Sequence, residues 1–505
     1  MVFSVDIFSV PIRLLSDKHS KMPVQTHEII DRGIMAKQFK AMLKQQLSGR
    51  GGAGELVGIA APLVVSFACE TVMMFTDRLF LSRLSGAHMA AAMGGGLMAF
   101  TFMTFFLGIH GYGTAMVAQQ FGAGKKEHCP LVVSQALIIG LIGYPIILSG
   151  IPLGIRMFRL SGVDTVQLQQ QQMYFSLLMT GTIITLTRSS IGCFFSGIGK
   201  TGVIMVAAGA SMTINVGLNY LLIFGKMGFP EMGIRGAAIG TIIANFTGLC
   251  ILVIVYLRYR SNDEYRIVKS FRFNRKLMAE LLRYGYPAGL EMLLNLIAFT
   301  TLVTTFHSCG EAVATAITIA FNWDMVSFVP MIGLSIGVTS LAGRYTGARD
   351  RRSVYRSAYT GIKLAAIYSG FLLIPFLFFT GPLVDLFLHG TVSGNDEVSV
   401  MAVFMVKMIS VYLFCDAVLQ VFGGALRGVG DTFWVMTVSV TMHWSFALLT
   451  LIALKVAHLD PRATWCLVIG AFFFFGPIFF VRFRSGRWGK KMDSLPVNHG
   501  MSQME

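Results

Sequence analysis

Twelve long apolar runs, each of about 20 residues or more, set what this chain can fold into. A helix needs about 20 predominantly apolar residues to cross a bilayer, and soluble cores do not require unbroken runs of that length. The first run covers 56–81 and the last 463–481. They are too long for strands, and a transmembrane barrel would show short alternating segments instead. Of the 505 residues 54% are hydrophobic and 13% charged, against about 25% charged in soluble domains. An ordinary soluble enzyme is therefore excluded. The 54 glycines suit helices that approach closely in lipid.

Charge placement sets the orientation. With the N-terminus in the cytoplasm, 30 of the 41 Lys and Arg fall in inner segments and eight in outer ones. Both termini are then expected inside, in a plasma (cytoplasmic or inner) membrane. The same placement accounts for the net charge of +16 without a nucleic-acid partner. Residues 24–47 carry Ile29, Ile30, Ile34, Phe39, Met42 and Leu43 among lysines. This pattern fits either a helix lying on the inner membrane surface or a disordered tail.

The two halves of the chain repeat. At an offset of 225, Pro62 aligns with Pro287, Gly108 with Gly333, Thr114 with Thr339, and Gly122-Ala123 with Gly347-Ala348. At an offset of 231, Gly197-Ile198-Gly199-Lys200-Thr201 aligns with Gly428-Val429-Gly430-Asp431-Thr432. Six helices per half make the repeats parallel, related by an axis along the membrane normal. The fold class is thus an all-α integral membrane protein with twelve transmembrane helices in two six-helix bundles. The expected organisation is a cytoplasmic tail (1–55), an N-lobe (56–257), a basic cytoplasmic linker (258–283), a C-lobe (284–484) and a second tail (485–505). Such two-bundle proteins carry substrate near the membrane midplane by alternating access.

Several motifs look chemical without being so. Gly197 to Thr201 resembles the end of a phosphate-binding loop, but Phe194 stands where that pattern needs glycine and no strand precedes it. A turn between helices four and five is the plainer reading. The seven cysteines show no CxxC pair. No HExxH motif occurs, and the one GxSxG match, Gly333-Leu334-Ser335-Ile336-Gly337, lies inside a long apolar run rather than at a strand-to-helix turn, so metal-dependent and serine-hydrolase chemistry have no foothold.

The charged residues inside the spans are different. An acid at the centre of a spanning helix costs about 2.5–3.5 kcal/mol, so it is a functional candidate by default. The candidates are Glu70 and Asp77 in helix one, Glu291 in helix seven, Asp324 in helix eight and Asp416 in helix ten. Glu70 and Asp77 share a helical face, as do Tyr412 with Asp416 and Glu291 with Asn295. Carboxylates with a tyrosine hydroxyl can hold a proton, coordinate sodium or attract an organic cation. Structural roles compete: Asp77 adjoins Arg78, and Asp324, beside Trp323, could fix packing against a neighbouring helix. Arg188 and Lys407 are candidate internal counter-ions, and Lys363 is expected to snorkel to an interface.

From 56 to 482 the sequence resembles the multidrug and toxic compound extrusion (MATE) family, NorM-like branch. The resemblance rests on Pro62 followed by Met74-Phe75-Thr76-Asp77, on Val117-Ala118-Gln119 with Gly122-Ala123-Gly124-Lys125, and on Gly233-Ile234-Arg235-Gly236-Ala237-Ala238. Its most telling part is Tyr412-Leu413-Phe414-Cys415-Asp416-Ala417-Val418 leading to Gly424-Ala425-Leu426-Arg427-Gly428-Val429-Gly430-Asp431-Thr432. The resemblance implies a monomeric exporter of cationic, amphipathic small molecules that takes up H⁺ or Na⁺ in exchange and uses no cofactor. It also implies that Tyr412 and Asp416 belong to the cation site, with Na⁺ at Asp416, Tyr412 and Glu291 as one form of it. Where NorM-like proteins carry a helix-seven glutamate this chain has Asn295, and Glu291 lies one turn earlier on the same face. The resemblance does not extend to Glu70. A lipid or lipid-linked oligosaccharide flippase is the rival, although intramembrane acids outnumber bases five to three. An intramembrane enzyme is the rival from another class, and no catalytic dyad supports it.

Overall fold

The structure, a computed structural model, describes residues 49–160, 164–259, 264–388, 396–489 and 492. The surface-helix segment proposed at 24–47 lies outside them. Twelve helices are long and apolar enough to cross a membrane. In chain order they are α1 (Ala53–Ser82), α2 (Gly86–Gly122), α3 (His128–Leu160), α4 (Thr165–Ile198), α5 (Gly202–Ile223), α6 (Ile234–Arg258), α7 (Arg275–His307), α8 (Glu311–Gly347), α9 (Arg351–Phe378), α10 (Glu397–Gly428), α11 (Thr432–Val456) and α12 (Pro461–Arg484). All twelve sequence-derived spans correspond to them. Helix α7 begins nine residues before its apolar run, so part of the 258–283 linker is helical. A one-turn helix, Ile267–Ser270, occupies more of it.

Capping explains several ends. Ser85, Asp164, Asn274, Asp350 and Asp460 each accept a backbone N–H in the first turn of the helix they precede. Gly199 ends α4 with φ 78° and Gly430 follows α10 with φ 86°, the left-handed region that glycine reaches without strain. The hydrogen bonds repeat as well. Lys200 N–H donates to the Phe195 carbonyl at 2.8 Å, and Asp431 N–H donates to that of Leu426 at 2.9 Å. The Gly197–Thr201 segment is thus a helix-ending turn, repeated 231 residues later.

The halves meet along α1, α2, α7 and α8. Helix α1 packs on α8 and, equivalently, α7 packs on α2, while α2 and α8 cross directly. The crossing is very close. A Cβ at Gly122 would fall 1.8 Å from the Arg344 carbonyl oxygen, and one at Gly347 would fall 2.0 Å from that of Gln119. Both pairs obey the 225-residue offset, as do Gly108 against Gly289 and Gly333 against Val64. These contacts lie toward the ends where α1 and α7 begin and α2 and α8 finish.

Polar groups close the same end. Gln119 Nε2 donates across the seam to the Gly428 carbonyl at 2.7 Å, and Ser340 Oγ donates to that of Ser196 at 2.7 Å. Arg344 Nη2 donates to the Ile198 carbonyl at 3.0 Å and Nη1 pairs with Glu55 at 3.0 Å. Its guanidinium lies 5.0 Å from the Phe121 ring centroid. The seam rests on glycine, so overpacking it is expected to cost about 1–3 kcal/mol, which is about fivefold or more in the closed population. Gly122→Ala should therefore expose a cysteine placed at buried Ser340 to a membrane-impermeant maleimide. Unchanged labelling would show that this approach does not hold the halves together.

Candidate functional site

Each half holds a carboxylate cluster of its own, buried in the N-lobe and half-buried in the C-lobe. In the N-lobe, Asp77 sits on α1 and is 7% exposed. It accepts hydrogen bonds from Asn219 Nδ2 on α5 and, at 3.1 Å, from Thr241 Oγ1 on α6. Asn219 Nδ2 also reaches Asn215 Oδ1 at 3.2 Å, and Asn215 Nδ2 donates to Thr241 Oγ1 at 3.2 Å. The four side chains form a closed ring of oxygens and amides with no cationic member. Asn219 Oδ1 is buried without a partner. Gly240 makes room for it, since a Cβ there would lie 2.4 Å away.

One level nearer the seam, Glu70 pairs with Arg188 Nη2 at 3.1 Å, and Arg188 Nη1 donates to Asn245 Oδ1 at 3.0 Å. Asn245 Nδ2 donates to the Thr241 carbonyl at 3.0 Å, joining the two levels along one face of α6. Arg188 is therefore the internal counter-ion of Glu70. Lys407 is exposed on the face of α10 that also carries Val400, Val411 and Phe414, so it fills no such role in this conformation. Lys363 is exposed in line with Ile367 and Phe371, as a snorkelling lysine would be.

In the C-lobe, buried Tyr412 on α10 donates its hydroxyl hydrogen bond to Asp324 on α8. The helical spacing of Tyr412 and Asp416 suggests a pair, but the partner of the hydroxyl is Asp324. Ser327 Oγ donates to Asp324 Oδ1 at 3.2 Å. Among the described residues Asp416 is held by Gln420 Nε2 alone, at 3.5 Å, and it lies close enough to Asp324 for their charges to interact. The Tyr412 ring stacks on Phe472, centroids 4.7 Å apart at 21°, and this stacking fixes where the hydroxyl points. Asp324 thus has both a packing and an electrostatic role. No Lys or Arg pairs with Asp77, Asp324 or Asp416 among the described residues.

Glu291 is placed elsewhere. It pairs with Arg427 at 2.5 Å, with side-chain exposures of 31% for Arg427 and 6% for Glu291. Arg427 is eleven residues beyond Asp416 on α10, about 16 Å along the axis. The structure therefore does not bring Glu291 to Asp416 and Tyr412, as a shared Na⁺ site would require. Asn295, one turn on, donates to Ser439 Oγ on α11 at 2.9 Å. The grouping of Asp77 with Asn215, Asn219 and Thr241 escaped the sequence reading. The sequence does carry a signal for it: Asn215–Asn219 and Thr241–Asn245 are polar i,i+4 pairs inside apolar runs.

A sequence model of the MatE family matches residues 62–221 and again 287–450, the matches starting 225 residues apart. A probable multidrug resistance protein NorM of Thermotoga maritima is 25% identical over 447 residues, covering 86% of this chain and 93% of the relative. The protein of the same description from Bacillus subtilis is 26% identical over 424 residues, covering 80% and 89%. Two solved structures share the fold. One is a MOP superfamily transporter from Pyrococcus furiosus, with TM-score 0.80, 18% identity and coverage of 89% of this chain and 98% of that one. The other is an outward-facing MATE family transporter, with TM-score 0.78, 20% identity and coverage of 90% and 98%. The family match spans both halves and begins in each at the matched helix proline, so the chain belongs to the MATE family, which consists of membrane transporters and not enzymes.

Proposed function

We propose that the protein is a secondary active antiporter that exports cationic or amphipathic small molecules in exchange for H⁺ or Na⁺. The observation that carries this reading is the sorting of its intramembrane acids. Glu70 and Glu291 each have an arginine on them, whereas Asp77, Asp324 and Asp416 have none. A carboxylate removed from water is costly unless a positive charge joins it. Where the chain supplies no such charge, a proton, a sodium ion or a cationic substrate can.

The two sites do this differently. Asp77 offers one carboxylate with the hydroxyl of Thr241 and the amide oxygens of Asn215 and Asn219, a hard-oxygen set suited to a small cation. Asp324 and Asp416 repel each other unless a cation sits with them, and Tyr412 holds one of the two in place. Gradient-driven loading of these sites from one side, and release to the other, would drive alternating access. The excess of positive charge beyond the inner helix ends supports both termini lying in the cytoplasm, and on that reading the closed seam is the cytoplasmic one. One chain holds both halves and both sites, so the working unit is a monomer.

Two predictions follow from this sorting. In vesicles with imposed proton or sodium gradients, varied separately, Asp416→Asn and Asp77→Asn each abolish gradient-driven efflux of a fluorescent cation while folding normally. Full efflux by Asp416→Asn would overturn the coupling assignment. The ion-paired acids behave otherwise. Arg427→Gln lowers stability by about 1–3 kcal/mol, between the values for exposed and buried pairs, because it strands the more buried Glu291. Glu291→Gln combined with Arg427→Gln recovers part of that loss. Thermal unfolding in detergent reads both, and a double variant less stable than Arg427→Gln would contradict the pairing.

A further inference from the structure

A groove of about 400 Å³ lies where the end of α12 meets the start of α11. Trp434, Pro477, Ile478 and Val481 form its apolar wall, and Arg482, Ser485 and Arg487 line its other end. The wall continues into the membrane region. Phe474, Ile478, Val481 and Ser485 follow one another along a single face of α12, and all four are exposed. That stripe is apolar until it reaches Ser485, where it meets the arginines at the helix end.

The charges there are not equivalent. Arg482 is already neutralised by Asp431, with contacts of 2.8 and 3.3 Å, and its guanidinium lies 5.3 Å from the Trp434 ring centroid. It therefore shapes the groove and adds little net charge. Arg487 is exposed and has no protein partner among the described residues; Arg484, in the last turn of α12, is also exposed but does not line the groove. The groove thus pairs an apolar track with an excess of positive charge at the membrane–water boundary, where a phosphate group sits. A soluble anion would have no use for the track, and a neutral lipid tail would have no use for the arginines.

We infer that this groove is a binding site for an anionic phospholipid, with an acyl chain along Ile478 and Val481 and the phosphate at Arg487 and Ser485. The inference rests on the chemistry of the helix end and is independent of the transport reading. Basic groups near a membrane surface favour anionic lipid by about fivefold each.

Trp434 reports on the groove directly. The full chain is placed in phosphatidylcholine nanodiscs containing increasing fractions of acyl-brominated phosphatidylglycerol or acyl-brominated phosphatidylcholine. The contribution of Trp434 is taken as the difference between the native chain and Trp434→Phe. Brominated phosphatidylglycerol should quench it at about a fivefold lower fraction than brominated phosphatidylcholine. Arg487→Gln, an exposed substitution that leaves the fold intact, should remove that preference, and Arg487→Lys should keep it. Equal quenching by the two lipids, or a preference untouched in Arg487→Gln, would overturn the site. Inorganic phosphate should not relieve the quenching; if it does, the arginines bind free anions and the lipid assignment fails.

Discussion

A carboxylate inside an apolar bundle must be matched by positive charge, and the match is either permanent or exchangeable. This chain uses both solutions. Glu70 with Arg188 and Glu291 with Arg427 are settled within the protein, and so are Glu55 with Arg344 and Asp431 with Arg482 nearer the helix ends. Asp77, Asp324 and Asp416 are left with neutral hydrogen-bond donors. Neutral donors orient a carboxylate but do not cancel its charge, so these three remain open to a mobile cation. Position on the helix would not have separated the two groups, because Glu70 and Asp77 share a face of α1.

The internal repeat supplies the frame but not the chemistry. The turns after α4 and α10, the glycine crossing of α2 with α8, and the packing of α1 on α8 and α7 on α2 all recur at fixed offsets. The unpaired acids do not. The repeat equivalent of Asp77 is Leu302, that of Asp324 is Ala99, and that of Asp416 is Thr185. Backbone approach at a seam between like halves is a symmetric demand, and small residues answer it in both. If the two acid clusters take cations at different points of a cycle, as proposed, they have no reason to be alike. The N-lobe site is a single acid among amides and a hydroxyl, and the C-lobe site is two acids and a phenol.

The frame was legible in the sequence because bilayer thickness writes itself into run length, and because backbone crossings demand glycine at matched positions. The site was legible only in part. Helical spacing brought out Tyr412 with Asp416, yet it could not show that the hydroxyl would turn to Asp324, 88 residues away on another helix. Arg427, counted by its position with the charges beyond the helix end, reaches back to Glu291, since a long side chain need not stay at the level of its own Cα. That reach holds Glu291 away from the Asp416 site, and Asn295, one turn on, donates instead to Ser439. Lys407 read as an internal charge from its place in the run, but the rotation of α10 puts it on the exposed face. Sequence gives depth along a helix more readily than direction around it.

The makeup of the seam bears on how a transport cycle can run at all. Moving a two-state protein from mostly closed to mostly open takes about 5.5 kcal/mol of differential binding. A seam made of several desolvated ion pairs would exceed what a small cation can supply. Here the crossing is made by glycine contacts and by the hydrogen bonds of Gln119, Ser340 and Arg344 to backbone carbonyls. Such bonds contribute about 0.5–1.5 kcal/mol each, or about 1.5–3 where the donor is charged. Among the described residues the ion pair at this crossing is Glu55 with Arg344; Glu55 also accepts from the Tyr345 hydroxyl at 2.6 Å, and both members of the ion pair are partly exposed, so water can take over when it opens. The pairs Glu70 with Arg188 and Glu291 with Arg427 lie within single lobes and need not break when the lobes part. On the proposed reading, each lobe keeps its own ion pairs through the cycle, and the contact between the lobes is what ion binding at Asp77, Asp324 and Asp416 would open or close.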